Sequence, residues 1–325
     1  MIISKTPYRI SFFGGGTDYP GWYRENGGQV LSTTINKYIY ISCRNLPPFF
    51  EHKHRLVYSM IEEVQDIAEI DHPAARAVLN FLKTEDGMEI HYDGDLPGKS
   101  GMGSSSSFTV GLLNTIYRYN GISVKPQRLA EEAIHIEQNI IGETVGSQDQ
   151  IAASIGGFNH IKFKDDSFTV NPISIPQKRL TQLDSNIMLF FTGIQRFAEK
   201  VAKTYVDDIK AKERQLKLMH QMVDEGKRII NTGDLDDFGH LLHEAWQRKK
   251  ELSTEVSSQT IDDIYNSAKE SGAIGGKISG AGGGGFMFFY VPIEKQEEVK
   301  KNLSQLLHVP FNFESVGSRI IFSGE

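Results

Sequence analysis

Length, composition and charge exclude several classes of protein. The chain has 325 residues, of which 39% are hydrophobic and 23% charged, as in a globular protein that buries a substantial core. The formal net charge of −6 argues against a general nucleic-acid or membrane-surface binder, because those partners require a broad basic face. We therefore expect any anion-binding site to be local.

Cysteine content and hydropathy limit the cellular compartments in which the protein is expected. The single cysteine, Cys43, excludes an intrachain disulfide and a cysteine-rich metal site. The N-terminus lacks the apolar segment of a signal peptide, and no run approaches the ~18 apolar residues of a membrane span. We expect a cytoplasmic protein without a membrane or nucleic-acid partner, either a monomer or a homodimer.

The chain opens with a strand that ends in a glycine turn. β-type residues from Ile2 to Phe13 lead into GGGTD, in which Gly15, Gly16 and Thr17 precede Asp18. Glycines permit close backbone approach, and a carboxylate just after them can accept hydrogen bonds from the hydroxyls of a polyol. The alternative is a tight turn with an Asx cap. Further strands are predicted over 30–44 and 54–60, followed by a short helix over 73–83.

The segment LPGKSGMGSSSS, residues 96–107, follows a predicted strand and runs into a helical pattern. A helix N-terminus has unpaired N–H donors and the positive end of the helix dipole, so a glycine turn leading into it favours a phosphate site. The alternative is a serine-rich helix cap after a flexible turn. The predicted phosphate-binding residues are Lys99, Gly101, Met102, Gly103, Ser104, Ser105 and Ser106.

Two better-known phosphate-binding motifs do not match this sequence. The upstream glycine of Gly98-Lys99-Ser100 is Gly94, one residue too close for the P-loop spacing. The glycines near residue 282 match GxGxxG on paper, but a strand-like run, FMFFYV, follows where the dinucleotide motif requires a helix. A phosphate site in this chain is therefore expected to use a different loop.

Two carboxylates lie near a second glycine turn. A helix beginning near Pro126 has an apolar face with Glu137 beside it. Ser147 is a candidate N-cap of the next helix, which places Asp149 in the first helical turn. Taken alone, Glu137 could be a solvated helix residue and Asp149 a partner of the helix dipole.

The pattern in the second half of the sequence predicts a mixed set of strands and helices. Strands are expected over 158–163 and 168–175, and the polar segment 177–186 suggests a domain junction, so we place a boundary between residues 185 and 186. A buried strand then ends at TGIQR, and a long helical stretch is predicted from Phe197 to about Asn231. Helices over 235–252 and 259–271, the block KISGAGGGG and a terminal strand complete an α+β pattern.

Three glycine-rich blocks in this order resemble the GHMP kinase superfamily of small-molecule kinases. PYRISFFGGGTDY is similar to the family's first motif, LPGKSGMGSSSS to its nucleotide loop of the form PxxxGxGSSxx, and KISGAGGGG to its C-terminal glycine loop. The resemblance covers essentially the whole chain. It implies two domains, a ribosomal-protein-like α/β domain over 1–185 and a ferredoxin-like α+β domain over 186–325.

The same resemblance implies roles for individual residues. Arg9 and Asp18 match positions that face the phosphoryl acceptor, with Arg9 also assisting catalysis. ATP phosphates are expected in the second motif, Mg²⁺ on Ser105 and Glu137, and the role of base or acceptor-orienting group on Asp149. The third block implies acceptor contacts from Gly282 and Gly283. These assignments suit phosphoryl transfer, which depends mainly on positioning and charge stabilisation.

The acceptor is the least constrained part of the prediction. Galactokinases have Glu-His where this chain has Gly15 and Gly16, which argues against galactose. The FFGGGTD form and the TGIQRFA segment resemble the branch of D-glycero-D-manno-heptose 7-phosphate kinases, which phosphorylate the anomeric 1-hydroxyl for nucleotide-activated heptose synthesis. A basic group must then meet the acceptor phosphate, with Arg196 as first candidate and Arg44, Arg55 and Lys99 as weaker ones.

Three other functions remain open from the sequence. A fucokinase-like sugar 1-kinase is the nearest competitor. A non-catalytic regulator that binds sugar and ATP would be expected to lose Asp149 or Glu137, and both are present. A decarboxylase of the mevalonate diphosphate type would share the fold, but no matching acceptor site is recognisable.

Overall fold

The computed structural model describes residues 1–98, 100–194 and 198–324. Within these residues, nine strands form one mixed sheet in which β1 pairs with β2 and β13, and β2 pairs with β5, β6 and β12. The strands of this first sheet are β1 (Ile2–Phe13), β2 (Gly28–Asn45), β3 (His54–Val57), β4 (Ile61–Val64), β5 (Met88–Gly94), β6 (Phe158–Lys164), β7 (Ser167–Pro172), β12 (Phe313–Glu314) and β13 (Arg319–Ser323).

The second sheet has four strands among the described residues, in the order β11-β8-β10-β9, and all neighbouring pairs are antiparallel. Its strands are β8 (Ile187–Phe191), β9 (Gly275–Ile278), β10 (Phe286–Tyr290) and β11 (Leu307–His308). The chain then returns to the first sheet, because β12 pairs with β2 and β13 pairs with β1. The terminal strands therefore tie the second half of the chain to the first.

Eleven α-helices accompany these sheets in the described part of the chain. They are α1 (Pro20–Asn26), α2 (Pro73–Phe81), α3 (Ser104–Tyr119), α4 (Pro126–His135), α5 (Gln148–Ile155), α6 (Gln177–Ser185), α7 (Ala198–Val206), α8 (Glu213–Thr232), α9 (Asp236–Lys250), α10 (Gln259–Glu270) and α11 (Gln296–Asn302). A π-helical turn, Ile136–Ile141, continues α4, and 3₁₀ turns lie at Ile67–Glu69, Ile209–Lys212, Thr254–Val256 and Ile293–Lys295. None of the described helices is both long enough and apolar enough to cross a bilayer.

A shared aromatic core joins the two halves. Phe12 at the end of β1 makes edge-to-face contacts with Phe238 of α9 at a centroid distance of 5.2 Å and with Phe288 of β10 at 5.8 Å. Such T-shaped pairs add about 0.5–1.5 kcal/mol each beyond the area that they bury. The end of β1, which leads into the first glycine turn, is therefore held by both sheets.

The α+β prediction is confirmed, whereas one local prediction is wrong. The polar segment at the predicted junction forms α6, because Leu180 and Leu183 share one face and pack into the core. The long helix predicted from residue 197 is interrupted before α8, where Asp208 leaves helical geometry with φ −128° and ψ 51°. The boundary at 185/186 stays a prediction.

Candidate active site

A cavity of about 280 Å³ lies between the glycine-rich loops. Its walls come from β1, the turn after β1, the start of α3, the loop before α5, α7 and the loop after β9. Lining residues are Arg9, Asp18, Tyr19, Gly101, Gly103, Ser104, Ser105, Ser106, Glu143, Thr144, Val145, Gly146, Gln148, Asp149, Ala202, Tyr205, Gly280 and Ala281. Residues distant in sequence thus surround one space.

The start of α3 is built as an anion cradle. Gly101 and Gly103 adopt φ of 78° and 79°, a left-handed conformation that glycine adopts without strain. Gly103 is the N-cap of α3, and no side chain caps the helix. The N–H groups of the first turn of α3 are therefore uncapped and lie at the positive end of the helix dipole. Ser104 and Ser105 in the same turn line the cavity.

The cradle packs directly against the C-terminal glycine loop. A Cβ at Gly101 would lie 2.5 Å from the carbonyl oxygen of Ser279, and a Cβ at Gly285 would lie 2.2 Å from that of Ser100. A Cβ at Gly280 would lie 2.6 Å from the Cα of Gly101. Only glycine fits at these positions, because the two backbones touch.

Arg9 and Asp149 form a two-pronged ion pair at the centre of the cavity. Nε of Arg9 donates to Oδ1 of Asp149 at 2.7 Å, and Nη2 donates to Oδ2 at 2.6 Å. Nη1 donates to the carbonyl oxygen of Gly101 at 2.8 Å, which ties the guanidinium to the cradle. The Arg9 side chain is 5% exposed and that of Asp149 22% exposed. The carboxylate is thus held rigidly while still facing the cavity.

Asp18 is buried in the turn after β1 and lines the same cavity. Its Oδ1 accepts from the N–H of Gly16 at 2.9 Å, and its Oδ2 accepts from Nε2 of Gln148 at 2.9 Å. Burial, followed by the nearby charge of Asp149, raises the pKa of the Asp18 carboxyl. A carboxyl fixed in this way presents its remaining acceptor capacity to hydroxyl groups in the cavity.

Glu137 is more deeply buried, on the π-helical turn that packs against α2 and α4. Its Oε2 accepts from the hydroxyl of Ser106 at 2.8 Å and from Nε2 of Gln150 at 2.5 Å. Its Oε1 is buried without a hydrogen-bond partner among the described residues. Burial raises the pKa of Glu137 to about 7. A buried carboxylate oxygen without a partner beside a phosphate cradle fits a hard cation such as Mg²⁺.

The structure refines the predicted site at several positions. Ser106, not the predicted Ser105, contacts Glu137, whereas Ser105 is exposed and lines the cavity. The side chain of Met102 is fully buried in the core, and its carbonyl oxygen accepts from the N–H of Arg9 at 3.1 Å. Lys99 and Arg196 lie outside the described residues.

In the first glycine turn, Gly16 and Thr17 build the turn instead of facing the cavity. The N–H of Gly16 holds Asp18, and the hydroxyl of Thr17 donates to the carbonyl oxygen of Gly14 at 2.8 Å. Thr17 is fully buried. Thr17 therefore stabilises the turn and does not make the acceptor contact predicted for it.

The C-terminal glycine loop also differs from the prediction. Gly282 and Gly283 are buried against the 3₁₀ turn at Thr254–Val256, where the N–H of Gly283 donates to the carbonyl oxygen of Val256 at 2.9 Å. Gly280 and Ala281 line the cavity in their place. The left-handed run of glycines turns the chain away from the cavity after residue 281, which sequence spacing does not reveal.

The weaker predicted phosphate ligands lie elsewhere. Arg44 pairs with Glu89, and Arg55 lies 3.3 Å from Glu63 and 3.4 Å from Glu89. Neither arginine lines the cavity. Both arginines instead pair with Glu89, a buried carboxylate on the first sheet, and neither is placed to bind the acceptor phosphate in this cavity.

Sequence reasoning missed several cavity residues. Gln148 adjoins the predicted Asp149 and could have been found from its place in the first turn of α5. Tyr19 and Tyr205 pack edge to face at a centroid distance of 6.2 Å and form an apolar wall. Tyr205 lies on a helix whose amphipathic pattern looks like ordinary core packing, so no local signal marks it.

Two family models match the chain: GHMP kinases N terminal domain over residues 61–157 and GHMP kinases C terminal over residues 227–308. The D-glycero-alpha-D-manno-heptose 7-phosphate kinase of Campylobacter jejuni subsp. jejuni serotype O:2 is 31% identical over an alignment of 313 residues that covers 92% of each chain. The bifunctional fucokinase/GDP-fucose pyrophosphorylase of Arabidopsis thaliana is 23% identical and matches 95% of this chain but 31% of its own length.

The fold is shared with solved structures of similar size. The crystal structure of a D-glycero-D-manno-heptose 1-phosphate kinase from Bacteroides thetaiotaomicron has a TM-score of 0.82 at 24% identity, covering 100% of both chains. At that identity the likeness shows the fold alone. The two heptose kinases carry names that place the acceptor phosphate at different positions of the sugar.

Proposed function

The chain belongs to the GHMP kinase family as an ATP-dependent sugar kinase, and from this premise we propose that its acceptor is D-glycero-D-manno-heptose 7-phosphate. The anomeric 1-hydroxyl would receive the phosphoryl group, giving the 1,7-bisphosphate for nucleotide-activated heptose synthesis. The observation that carries the proposal is the Arg9–Asp149 ion pair between the anion cradle and the polar wall at Asp18. This pair lies where a transferred phosphoryl group and an acceptor hydroxyl would meet.

On the nucleotide side, the proposal assigns the triphosphate of ATP to the cradle. The N–H groups and hydroxyls of Ser104 and Ser105 face the cavity and would donate to phosphate oxygens. Mg²⁺ would be held by Glu137 together with a serine hydroxyl, either Ser105 as predicted or Ser106, which contacts Glu137 in this structure. The cation supplies charge neutralisation for phosphoryl transfer.

On the acceptor side, Asp149 would accept the proton of the attacking hydroxyl. Arg9 orients the Asp149 carboxylate through two hydrogen bonds and can donate toward the negative charge of the phosphoryl group. Asp18 would accept hydrogen bonds from sugar hydroxyls. Phosphoryl transfer needs little beyond such positioning and charge stabilisation.

An acceptor panel tests the proposal. ADP release is measured with heptose 7-phosphate, heptose 1-phosphate, unphosphorylated heptose, L-fucose, D-mannose and D-galactose, and phosphorus NMR identifies the phosphorylated position. We expect the highest kcat/KM with heptose 7-phosphate and a new phosphate on the anomeric carbon. Preference for a plain sugar would overturn the heptose phosphate assignment and leave the sugar kinase in place.

A fucokinase-like activity is the second candidate, favoured by the match of nearly the whole chain to part of the Arabidopsis fucokinase. Fucose has no phosphate, so its kinase needs no cationic contact for the acceptor. A higher kcat/KM for L-fucose than for heptose 7-phosphate in the same panel would establish this alternative.

A further inference from the structure

A second, smaller chamber adjoins the acceptor side of the cavity. Its volume is about 30 Å³, and it shares Arg9, Gln148, Tyr205 and Gly280 with the main cavity. The other lining residues are Ser11, Gly15, Lys249, Leu252 and Lys277. Two lysines from different elements, α9 and β9, therefore border a space that already contains Arg9.

Both lysines are buried without a carboxylate partner. Lys249 is 6% exposed and Lys277 is 3% exposed. Nζ of Lys277 donates to the carbonyl oxygen of Phe12 at 3.0 Å, and Nζ of Lys249 donates to the carbonyl oxygens of Ile278, at 3.2 Å, and Gly280. Neither forms an ion pair within the described part of the chain. Buried cations normally pair with an anion, because desolvation of an unpaired charge is costly.

The chamber also contains polar atoms that lack partners. Oγ of Ser11 and Oε1 of Gln148 are buried without a hydrogen bond in the described structure. Ser11 is 6% exposed and Gln148 is 8% exposed. A hydroxyl and two ammonium groups can donate to an anion, while the amide oxygen of Gln148 can accept from a neighbouring hydroxyl. A phosphate ester of a polyol supplies both kinds of group.

Size and position identify which phosphate fits. A water molecule needs about 10–15 Å³ by this measure, so about 30 Å³ admits a few ligand oxygens but not a sugar ring. None of the cradle residues from Gly101 to Ser106 lines the chamber, whereas Gly15 of the first glycine turn does. The chamber thus borders the first glycine turn, on the acceptor side, and meets the main cavity at Arg9 and Gly280.

We propose that Lys249, Lys277 and Ser11 form the subsite for the phosphate that the acceptor sugar already carries. This inference rests on the proposed sugar phosphate kinase activity and assigns the acceptor phosphate to residues other than Arg196. It explains why two cations are buried next to Arg9. The chamber would then determine the preference of the enzyme for phosphorylated over plain acceptors.

Electrostatics support the assignment. Burial, and next the charge of Arg9, lower the pKa of Lys277 to about 7; burial and the charge of Lys277 lower the pKa of Lys249 well below its ordinary value. The other titratable groups facing the pair are Asp18 and Tyr205. A bound phosphate would favour the charged lysines, so binding of the acceptor is expected to take up protons above pH 7.

The test compares a phosphorylated and a plain acceptor in matched variants. Lys277→Met and Lys249→Met remove one charge each while keeping a long apolar side chain, and Ser11→Ala removes only the hydroxyl. Lys250→Met is the control, because Lys250 is the next residue on α9 but pairs with Asp262 and lines neither cavity. For each variant, kcat/KM is measured with heptose 7-phosphate and with unphosphorylated heptose. The KM for ATP is measured as well.

We expect Lys277→Met and Lys249→Met to lower kcat/KM for the phosphorylated acceptor by about 10²-fold, with a much smaller fall for the plain sugar. Ser11→Ala should lower it several-fold in the same selective way, which covers the case in which a lysine variant fails to fold. Calorimetry with heptose 7-phosphate in two buffers of different ionisation enthalpy should show proton uptake at pH 8 in the unmodified protein and less in Lys277→Met.

Three outcomes would overturn the subsite. Equal losses for both acceptors, or a raised KM for ATP, would assign the lysines to the transferred phosphoryl group or to folding. Retained selectivity for the phosphorylated acceptor in all three variants would place its phosphate elsewhere, with the proposed function intact. A parent enzyme that prefers the plain sugar would overturn the heptose phosphate acceptor and this subsite together.

Discussion

The cradle from Gly101 to Ser106 and the chamber around Lys277 both adjoin Arg9 and Gly280, yet they are built differently. The cradle is one continuous stretch of backbone at a helix N-terminus. The chamber consists of side chains from β1, α5, α7, α9 and β9. A backbone site recognises phosphate in general, whereas a site assembled from separate side chains can change its ligand by single substitutions. Sugar choice is therefore expected to depend on the chamber and on Asp18.

The largest effect should come from Asp149, which stands between these two regions. Replacing it with Asn removes the proton acceptor and one charge of the pair with Arg9, so we expect kcat to fall by ~10²-fold or more while KM for ATP changes little. Steady-state kinetics with ADP detection measures both constants. Asp166→Asn is the matched control, because Asp166 also binds an arginine, Arg24 at 2.7 Å, on the exposed surface. Near-normal turnover in a folded Asp149→Asn protein would contradict the role of base.

Glu137→Gln should have the next largest effect and should act on the nucleotide side only. The amide cannot provide the anionic oxygen that Mg²⁺ prefers, so we expect the Mg²⁺ concentration for half-maximal activity to rise by about 10-fold or more. Glu131→Gln on α4 is the control, because Glu131 is exposed and accepts a hydrogen bond from Gln127 on the same helix. An unchanged Mg²⁺ requirement would remove Glu137 from the metal site.

Gly101→Ala tests the backbone character of the cradle. The new Cβ would meet the carbonyl oxygen of Ser279 at 2.5 Å, and φ of 78° is strained for alanine. We expect a loss of about 1–3 kcal/mol in the free energy of unfolding, measured by denaturant titration, and a raised KM for ATP. Gly98→Ala is the control, because its Cβ would meet nothing within 4 Å. Equal stability of both variants would show that the loops can separate without cost.

The smallest effect is a pH dependence of stability without ligands. Burial raises the pKa of Glu137 to about 7 from its ordinary value of 4.5, so the folded protein holds a proton that the unfolded chain releases between these values. The contribution of Glu137 to stability therefore falls as pH rises from 4.5 to 7, by at most about 1.4 kcal/mol per pH unit. Denaturant titrations at pH 5.5 and 6.5 should show this slope and its loss in Glu137→Gln. Equal slopes in the two proteins would contradict the shift.

The glycine blocks were predictable because their chemistry is local. A strand, a glycine turn and a serine-rich helix start are contiguous in sequence, and α3 begins at Ser104 where the pattern places it. Which serine meets Glu137 was not predictable, because neighbours on a helix differ by about 100° in direction and the partner lies 31 residues further along the chain.

The acceptor side was only partly predictable. Asp18 follows a recognisable turn, but Lys249 belongs to a Lys-Lys pair at the end of an amphipathic helix, which looks like a solvated surface. Lys277 lies in a strand within a glycine-rich block, where its burial depends on packing against Phe12 from the other half of the chain. Contacts between residues this far apart depend on how the two sheets meet, and no local pattern encodes that.

The direct contact between the cradle and the C-terminal glycine loop limits how the molecule can move. No side chain separates the two backbones at Gly101, Gly280 and Gly285, so their backbone atoms are in direct contact. Because close-packed atoms leave no free space, the loops cannot slide past one another while they remain in contact. Relative motion of the two halves at this point must lift one loop off the other. The contact between the two loops therefore sets a limit on how closely the two halves of the chain can approach at the cavity.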